Sequence, residues 1–214
     1  ATRRVARAAR STGARIEEFT PVSSIAQEGA DYVVKTPRGQ VTSKRVLIAA
    51  GGWSGQIARM LGTKLPIRGA PLQMVVTAPG PKVIPCLLAH ADRHVTMKQT
   101  ASGSVIIGGA WPAVTGPAGQ PQIMPESLEG NLWVAARTVP SVASLHVIRS
   151  WAAMNIDIDG APLICPIPGY SGLFVAATAN GYTLGPLMGR EAATAVLSGY
   201  LRKDLHAFSM SRFT

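Results

Sequence analysis

Two continuous apolar runs dominate the hydropathy pattern: residues 46–50, Val-Leu-Ile-Ala-Ala, and residues 173–177, Leu-Phe-Val-Ala-Ala. Neither alternates with polar positions, which predicts strands buried on both faces of a parallel sheet. Gly51-Gly52 stops the first run, and residues 54–61 resume at helical period. Asn180-Gly181-Tyr182 follows the second run and leads into a helix predicted from about Gly185 to Leu197. Ahead of the first run, residues 3–11 read as a helix. Arg3, Arg7 and Arg10 share one face of it, while Val5, Ala6, Ala8 and Ala9 offer a small-residue face for packing. Residues 25–27, 32–36 and 40–43 read as short strands, the last two joined by the turn Pro37-Arg38-Gly39.

Between the two runs the pattern changes character. Residues 73–77 form a β-type run, and residues 95–100 and 104–107 flank Ala101-Ser102-Gly103, a three-residue hairpin connection ending in glycine. Residues 110–122, rich in Pro and Gly, read as loop. Residues 126–138 read as a helix with Leu128, Leu132 and Ala135 or Ala136 on one side, closed by Pro140. Residues 147–154 read as a strand and residues 156–162 as a turn. The expected fold class is therefore α/β plus α+β: residues 1–66 and 151–214 build one α/β layer, and residues 67–150 insert a mainly antiparallel lobe into it.

Composition narrows the class. With 214 residues, 47% of them hydrophobic and only 15% charged, the chain can bury a substantial core, which excludes disorder as its main state. No apolar run approaches the length of a membrane span. Cys86 and Cys165 make neither a disulfide framework nor a zinc site; they read as two buried thiols in a reducing, cytoplasmic compartment. The net charge of +10, from 21 basic and 11 acidic residues, raises nucleic acid, anionic membrane or an acidic ligand as partners. Arg3, Arg4, Arg7, Arg10 and Arg15 all precede the first acid, Glu17. A nucleic-acid platform would interleave aromatic with basic residues, and this chain does not. The arginines read as a solvated helix face, and no nucleic-acid partner is expected.

Candidate chemistry lies where an apolar strand ends in glycine and a helix begins. This happens twice, at Gly51-Gly52 and at Asn180-Gly181. Open α/β sheets bind ligands beyond the carboxyl ends of their strands. Glycine lets a backbone approach closely, and a following helix offers unpaired N–H groups with a positive dipole end. No G-x-G-x-x-G, P-loop, H-E-x-x-H, G-x-S-x-G or Cys/His cluster is present, so neither a complete dinucleotide unit nor a metal site is expected. His90, His94, His146 and His206 are dispersed and read as surface or satisfied core positions. Asp157 and Asp159 sit in a Gly/Pro turn, where carboxylates commonly bond nearby backbone N–H groups.

Five segments in order resemble the D-amino-acid-oxidase-like family of FAD-dependent oxidoreductases. They are residues 46–54 ending in Ala-Ala-Gly-Gly-Trp-Ser, Arg68-Gly69-Ala70-Pro71-Leu72-Gln73, Met97-Lys98-Gln99-Thr100 through Ile107-Gly108-Gly109, Trp151 through Asp159-Gly160-Ala161-Pro162, and Ala179-Asn180-Gly181-Tyr182-Thr183-Leu184-Gly185-Pro186. The resemblance implies a flavin that accepts a hydride from the carbon next to an amine or amino-acid nitrogen, with the cofactor carrying the chemistry and no protein acid/base pair assigned. It implies that Ala50, Gly51, Gly52, Trp53 and Gly160 lie along FAD. Asn180, Gly181, Tyr182, Thr183 and Leu184 would line the flavin, with backbone N–H groups toward its pyrimidine edge. Lys98, Met154, Asn155 and Tyr182 would face the substrate.

Two departures from the family pattern carry consequences. Members that oxidise simple amino acids often place an arginine fork shortly after the strand tryptophan. Here the run is Trp151-Ala152-Ala153-Met154-Asn155-Ile156, which puts carboxylate capture elsewhere, with Lys98 the candidate, and is closer to the β subunits of opine and hydroxyproline dehydrogenases. The family's glycine-rich N-terminal half has no counterpart here. The resemblance therefore implies either a fragment or one piece of a split enzyme, whose partner is that missing half or another subunit. The alternative is a non-catalytic remnant or subunit that only binds a partner chain; a basic nucleic-acid-binding domain ranks behind it.

Overall fold

A computed structural model describes residues 2–117 and 119–213. The chain opens with helix α1 (Thr2–Ser11), followed by an antiparallel meander of β1 (Ser24–Glu28), β2 (Asp31–Thr36) and β3 (Gly39–Ser43). Then come β4 (Val46–Ile48), a 3-10 turn at Gly51–Trp53 and helix α2 (Ser54–Arg59). The middle of the chain supplies β5 (Arg68–Pro79), β6 (Leu88–Ala89), β7 (Thr96–Gln99), β8 (Ser104–Gly108), the two-residue strands β9 (Val114–Thr115) and β10 (Pro121–Gln122), and helix α3 (Pro125–Thr138). The last part holds β11 (Val147–Asp157), β12 (Leu163–Pro166), β13 (Leu173–Ala177), helix α4 (Gly181–Ser198) and two 3-10 turns, Lys203–Phe208 and Met210–Phe213.

Two sheets position everything else. The first runs β12-β13-β4, with β13 parallel to β4 in the register Leu173↔Val46, Phe174↔Leu47 and Val175↔Ile48. The second is antiparallel throughout and runs β11-β5-β8-β7-β6. Each sheet has its own core. Ile48, Leu163, Leu173, Val175, Ala192 and Ala195 bury the first against α4, while Val75, Met97, Val105, Ile107 and Ala135 bury the second against α3. In β5 burial alternates, with Gln73, Val75 and Thr77 inward, as strand pleating requires when one face meets a helix. The Ala101-Ser102-Gly103 connection closes β7 onto β8, with Gly103 at φ +92° in the left-handed region where glycine is favoured.

Several expectations need correction. The run at residues 46–50 is not a strand buried on both faces. It ends at Ile48, Leu47 is 38% exposed, and β4 is hydrogen-bonded on one side only. Among the described residues no strand completes its other edge. The small-residue face of α1 is not a buried packing face: among the described residues the helix buries none, and Val5 is 67% exposed. Helix α4 begins at Gly181, four residues before the expected start. Strand β11 continues to Asp157, and the 110–122 segment contains β9 and β10 as well as a bridge between Leu72 and Pro112. Cys165 is buried, but Cys86 is exposed.

Candidate functional site

The carboxyl ends of the parallel strands and the start of α4 enclose a shallow groove of about 350 Å³. Leu47 and Ala49 come from the β4 side, Gly51 from the turn that follows, Thr178 from the end of β13, and Gly181 and Gly185 from α4. The groove wall is largely apolar. A larger hollow of about 700 Å³ lies beside Lys44, Arg45 and Gly172, at the amino ends of the same strands. Ligands of open α/β sheets bind at the carboxyl ends, so the smaller groove is the candidate site.

Local conformation explains the glycines on the strand side. Gly51 sits at φ +58°, turning the chain out of β4 into the 3-10 turn. Gly52 lies against β11. A Cβ there would stand 2.6 Å from Met154 Cγ and 3.0 Å from the Asn155 carbonyl oxygen. Gly69 meets the same side chain, with a Cβ position 2.6 Å from Met154 Sδ. Met154 is thus wedged between two glycines, which docks the turn onto the antiparallel sheet. Ala50 precedes the turn and is half-buried, whereas Trp53 closes it and is exposed.

The helix side is different in kind. Gly181, Gly185 and Gly189 recur every four residues along α4, and a Cβ at any of them would meet nothing within 4 Å. Glycine inside a helix costs about 1 kcal/mol relative to alanine. Among the described residues, no packing requires that cost at Gly185 or Gly189. The smooth strip is what a bulky group lying against α4 would need. Sequence reasoning missed Gly185, Gly189 and Thr178, although the four-residue glycine spacing was a readable signal.

The earlier helix start changes which amides are free. The backbone N–H groups of Thr183 and Leu184 both donate to the Asn180 carbonyl, at 3.1 and 2.9 Å, so they are not available to a ligand as expected. The amides of Gly181 and Tyr182 precede the first helical bonds and, among the described residues, have no backbone acceptor. Tyr182 itself is 88% exposed. Gly160 stands apart in the turn after β11 at φ +86°, with no neighbour at its Cβ position.

Of the residues expected to face a substrate, Lys98 and Asn155 lie on the face of the antiparallel sheet opposite α3. Lys98 alternates with the buried Met97, and Asn155 pairs with Ala70 two positions from the Ala153–Leu72 pair. Met154 does not join them, since its side chain occupies the wedge on the other face. Arg149 shares the Lys98 face and was missed. Its side depends on a bulge between Val147 and Arg149, which no local pattern announces.

The displaced pKa values lie away from the groove. Burial pushes the Cys165 thiol and the Tyr32 hydroxyl up. Hydrogen bonds from Arg15, Arg212 and Arg202 hold Glu17, Asp159 and Asp204, respectively, below the ordinary carboxylate range. Among the described residues, no group of three or more His, Cys, Asp or Glu could hold a metal ion, and no helix is long and apolar enough to cross a membrane.

The family model described as FAD dependent oxidoreductase matches residues 1–195. An opine oxidase subunit of Agrobacterium tumefaciens is 27% identical over 202 residues, covering 94% of this chain and 52% of that protein. Glycine oxidase of Bacillus subtilis is 29% identical over 218 residues, covering 96% and 56%. Among solved structures, L-proline dehydrogenase from P. horikoshii superposes with a TM-score of 0.86 at 25% identity, covering 99% of this chain and 58% of the other. Glycine oxidase from Geobacillus kaustophilus superposes with a TM-score of 0.80 at 24% identity, covering 97% and 56%. The chain thus spans little more than half the length of these relatives.

Proposed function

Because this chain belongs to the FAD-dependent oxidoreductase family, we propose that it forms the flavin-flanking part and the substrate lobe of an enzyme that oxidises the C–N bond of an amine or amino acid. The observation that carries this reading is the glycine strip on α4, facing Gly51 across the groove and unexplained by the chain's own packing. Residues 1–66 and 151–214 are the flavin-flanking part, and residues 67–150 the substrate lobe.

The residues present fit one flank of such a cofactor. Ala50, Gly51, Gly52 and Trp53 would lie along it from the β4 side. The Asn180-Gly181-Tyr182 turn would oppose them, with the Gly181 and Tyr182 amides as donors toward an electron-rich edge. Thr183, Leu184 and Gly160 would contribute surface rather than hydrogen bonds. A bound flavin would supply the acceptor for the two electrons that leave the substrate C–N unit. The chain's own part is to bind and orient the amine: Lys98 and Asn155 face it from the antiparallel sheet, and the apolar groove wall keeps water away from the reacting bond.

At about 350 Å³ the groove holds one flank of the cofactor and no more. The glycine-rich nucleotide-binding half completes it, joined to this polypeptide or supplied as a second one. Relatives named as an opine oxidase subunit and a sarcosine oxidase β subunit make a multi-subunit assembly a consistent setting. The test is a visible absorption spectrum after reconstitution with FAD, on this chain alone and on the chain joined to a glycine-rich nucleotide-binding half. Retained flavin only in the joined protein is the expected result; none in either contradicts the reading.

A further inference from the structure

Helix α3 buries one face and leaves the other as a patterned strip. Ser127, Asn131 and Ala135 are its buried residues, on the side that meets β5 and β8. On the opposite side Glu126, Gly130, Trp133 and Arg137 follow at intervals of four, three and four residues, the spacing of a single helical face. Glu126, Trp133 and Arg137 are exposed, Trp133 by 56%. Glu129 flanks the strip and is exposed as well. Among the described residues, no ion pair involves Glu126, Glu129 or Arg137.

The aromatic groups of this face are held in place. The Arg137 guanidinium lies over the Trp133 ring, 4.3 Å from its centroid. One turn toward the start of the helix, the Trp111 indole lies across Gly130, where a Cβ would stand 2.5 Å from its Cη2 and Cζ3. The Trp111 Nε1 donates to the His94 carbonyl, and the His94 ring meets the indole edge-on at 6.4 Å.

The strip is its own complement. Glu126 and Arg137 lie equally far from the midpoint between Asn131 and Leu132, and so do Gly130 and Trp133. A two-fold axis through that point pairs two copies of α3 antiparallel. It sets Glu126 of each copy opposite Arg137 of the other. In the same register it sets Trp133 of each copy opposite the Trp111 ring that covers Gly130 of the other. The charged ends are about 16 Å apart along the helix. A surface of uniform charge would match one end and repel the other, whereas a second copy matches both. The face is also close to neutral in a chain of net charge +10, which spares it the repulsion that two copies would meet over most of their surface. Tryptophan and arginine are, besides, the side chains that most often carry binding energy at interface centres.

We propose that the outer face of α3 is the two-fold interface of a homodimer. The helix belongs to the core of the antiparallel sheet and lines no part of the groove beside α4. Pairing through it therefore leaves the groove and the open edge of β4 free for the nucleotide-binding half.

The test is sedimentation equilibrium of the chain over a range of concentrations, repeated on the protein joined to its nucleotide-binding half, with circular dichroism as the check that each variant is folded. A reversible dimer is expected in both. Trp133→Ala, Glu126→Arg and Arg137→Glu should each raise the dimer dissociation constant roughly tenfold or more. Glu126→Arg combined with Arg137→Glu exchanges the two ends and should return the constant most of the way to the parent value, which a merely structural role of either residue would not produce. A dimer whose dissociation constant none of the single variants changes, or a double variant as weak as the singles, would overturn the proposal. A monomer at every concentration would overturn it too and leave the face to an unlike subunit.

Discussion

The guanidinium of Arg212 grips both carboxylate oxygens of Asp159, with Nε to Oδ2 at 2.7 Å and Nη2 to Oδ1 at 2.9 Å. Asp159 also accepts the Ala161 amide at 3.2 Å, so one carboxylate ties the turn after β11 to the last 3-10 turn of the described chain. Beneath that tail lies the buried Cys165, in a hollow lined also by Met210, His206 and Leu201.

Releasing this clasp should expose the thiol. In Arg212→Ala, Cys165 is expected to react with a disulfide reagent several-fold faster than in the parent chain, since a thiol must be both accessible and ionised to attack. The exposed Cys86 serves as an internal reference and should not change. Equal Cys165 rates in both proteins would show that the clasp does not hold the tail.

The same pair sets an acid limit. The Arg212 hydrogen bond holds the Asp159 carboxyl below its ordinary value. Its contribution is therefore complete above the ordinary carboxylate pKa and is lost as pH falls through the depressed one. Hydrogen-exchange protection of residues 203–213, taken relative to the intrinsic rate at each pH, should fall over that acid window, and in Asp159→Asn it should be low already at neutral pH with no such step.

The Met154 wedge predicts a packing penalty. Gly52→Ala drives a methyl against Met154 Cγ and the Asn155 carbonyl and should destabilise the chain by about 1–3 kcal/mol. Combining it with Met154→Ala should recover part of the loss over the sum of the single changes, a coupling that denaturant midpoints in a double-mutant cycle would reveal.

Gly185 predicts the opposite sign. With open space at its Cβ position, Gly185→Ala should stabilise the isolated chain by about 0.5–1 kcal/mol while weakening flavin retention in the completed protein. Thermal unfolding of the one and the spectrum of the other check the two halves. Loss of stability in the isolated chain would remove the argument that the strip exists for something outside it.

Asn131 anchors the other core. Fully buried on α3, it donates Nδ2 to the Gly108 carbonyl at 2.9 Å. Asn131→Asp removes that donor and buries a carboxyl without a counter-charge, so a loss of about 3 kcal/mol or more is expected in urea unfolding at neutral pH.

Much of this was legible in the residues. The hairpin at Ala101-Ser102-Gly103, the helix closed by Pro140 and the two strand-to-glycine junctions all follow from local chemistry, and each is present. What local chemistry hides is context. The run at residues 46–50 reads as doubly buried because its side chains are apolar, yet β4 is paired on one edge only. The start of α4 was obscured by Gly-Tyr-Thr-Leu-Gly-Pro, a poor helix former that still turns helical above the β13 end. That Arg149 shares a face with Lys98 is a property of register across four strands and of one bulge, and neither is written in any single segment.

The most direct test of the central claim is anaerobic addition of amines to the completed flavoprotein, followed through the visible band of oxidised flavin. If this chain supplies the flavin-flanking part and substrate lobe of a C–N oxidoreductase, an amine or amino acid will bleach that band, and Gly185→Ala will reduce the flavin available to bleach. A stably bound flavin that no amine or amino acid reduces would contradict it.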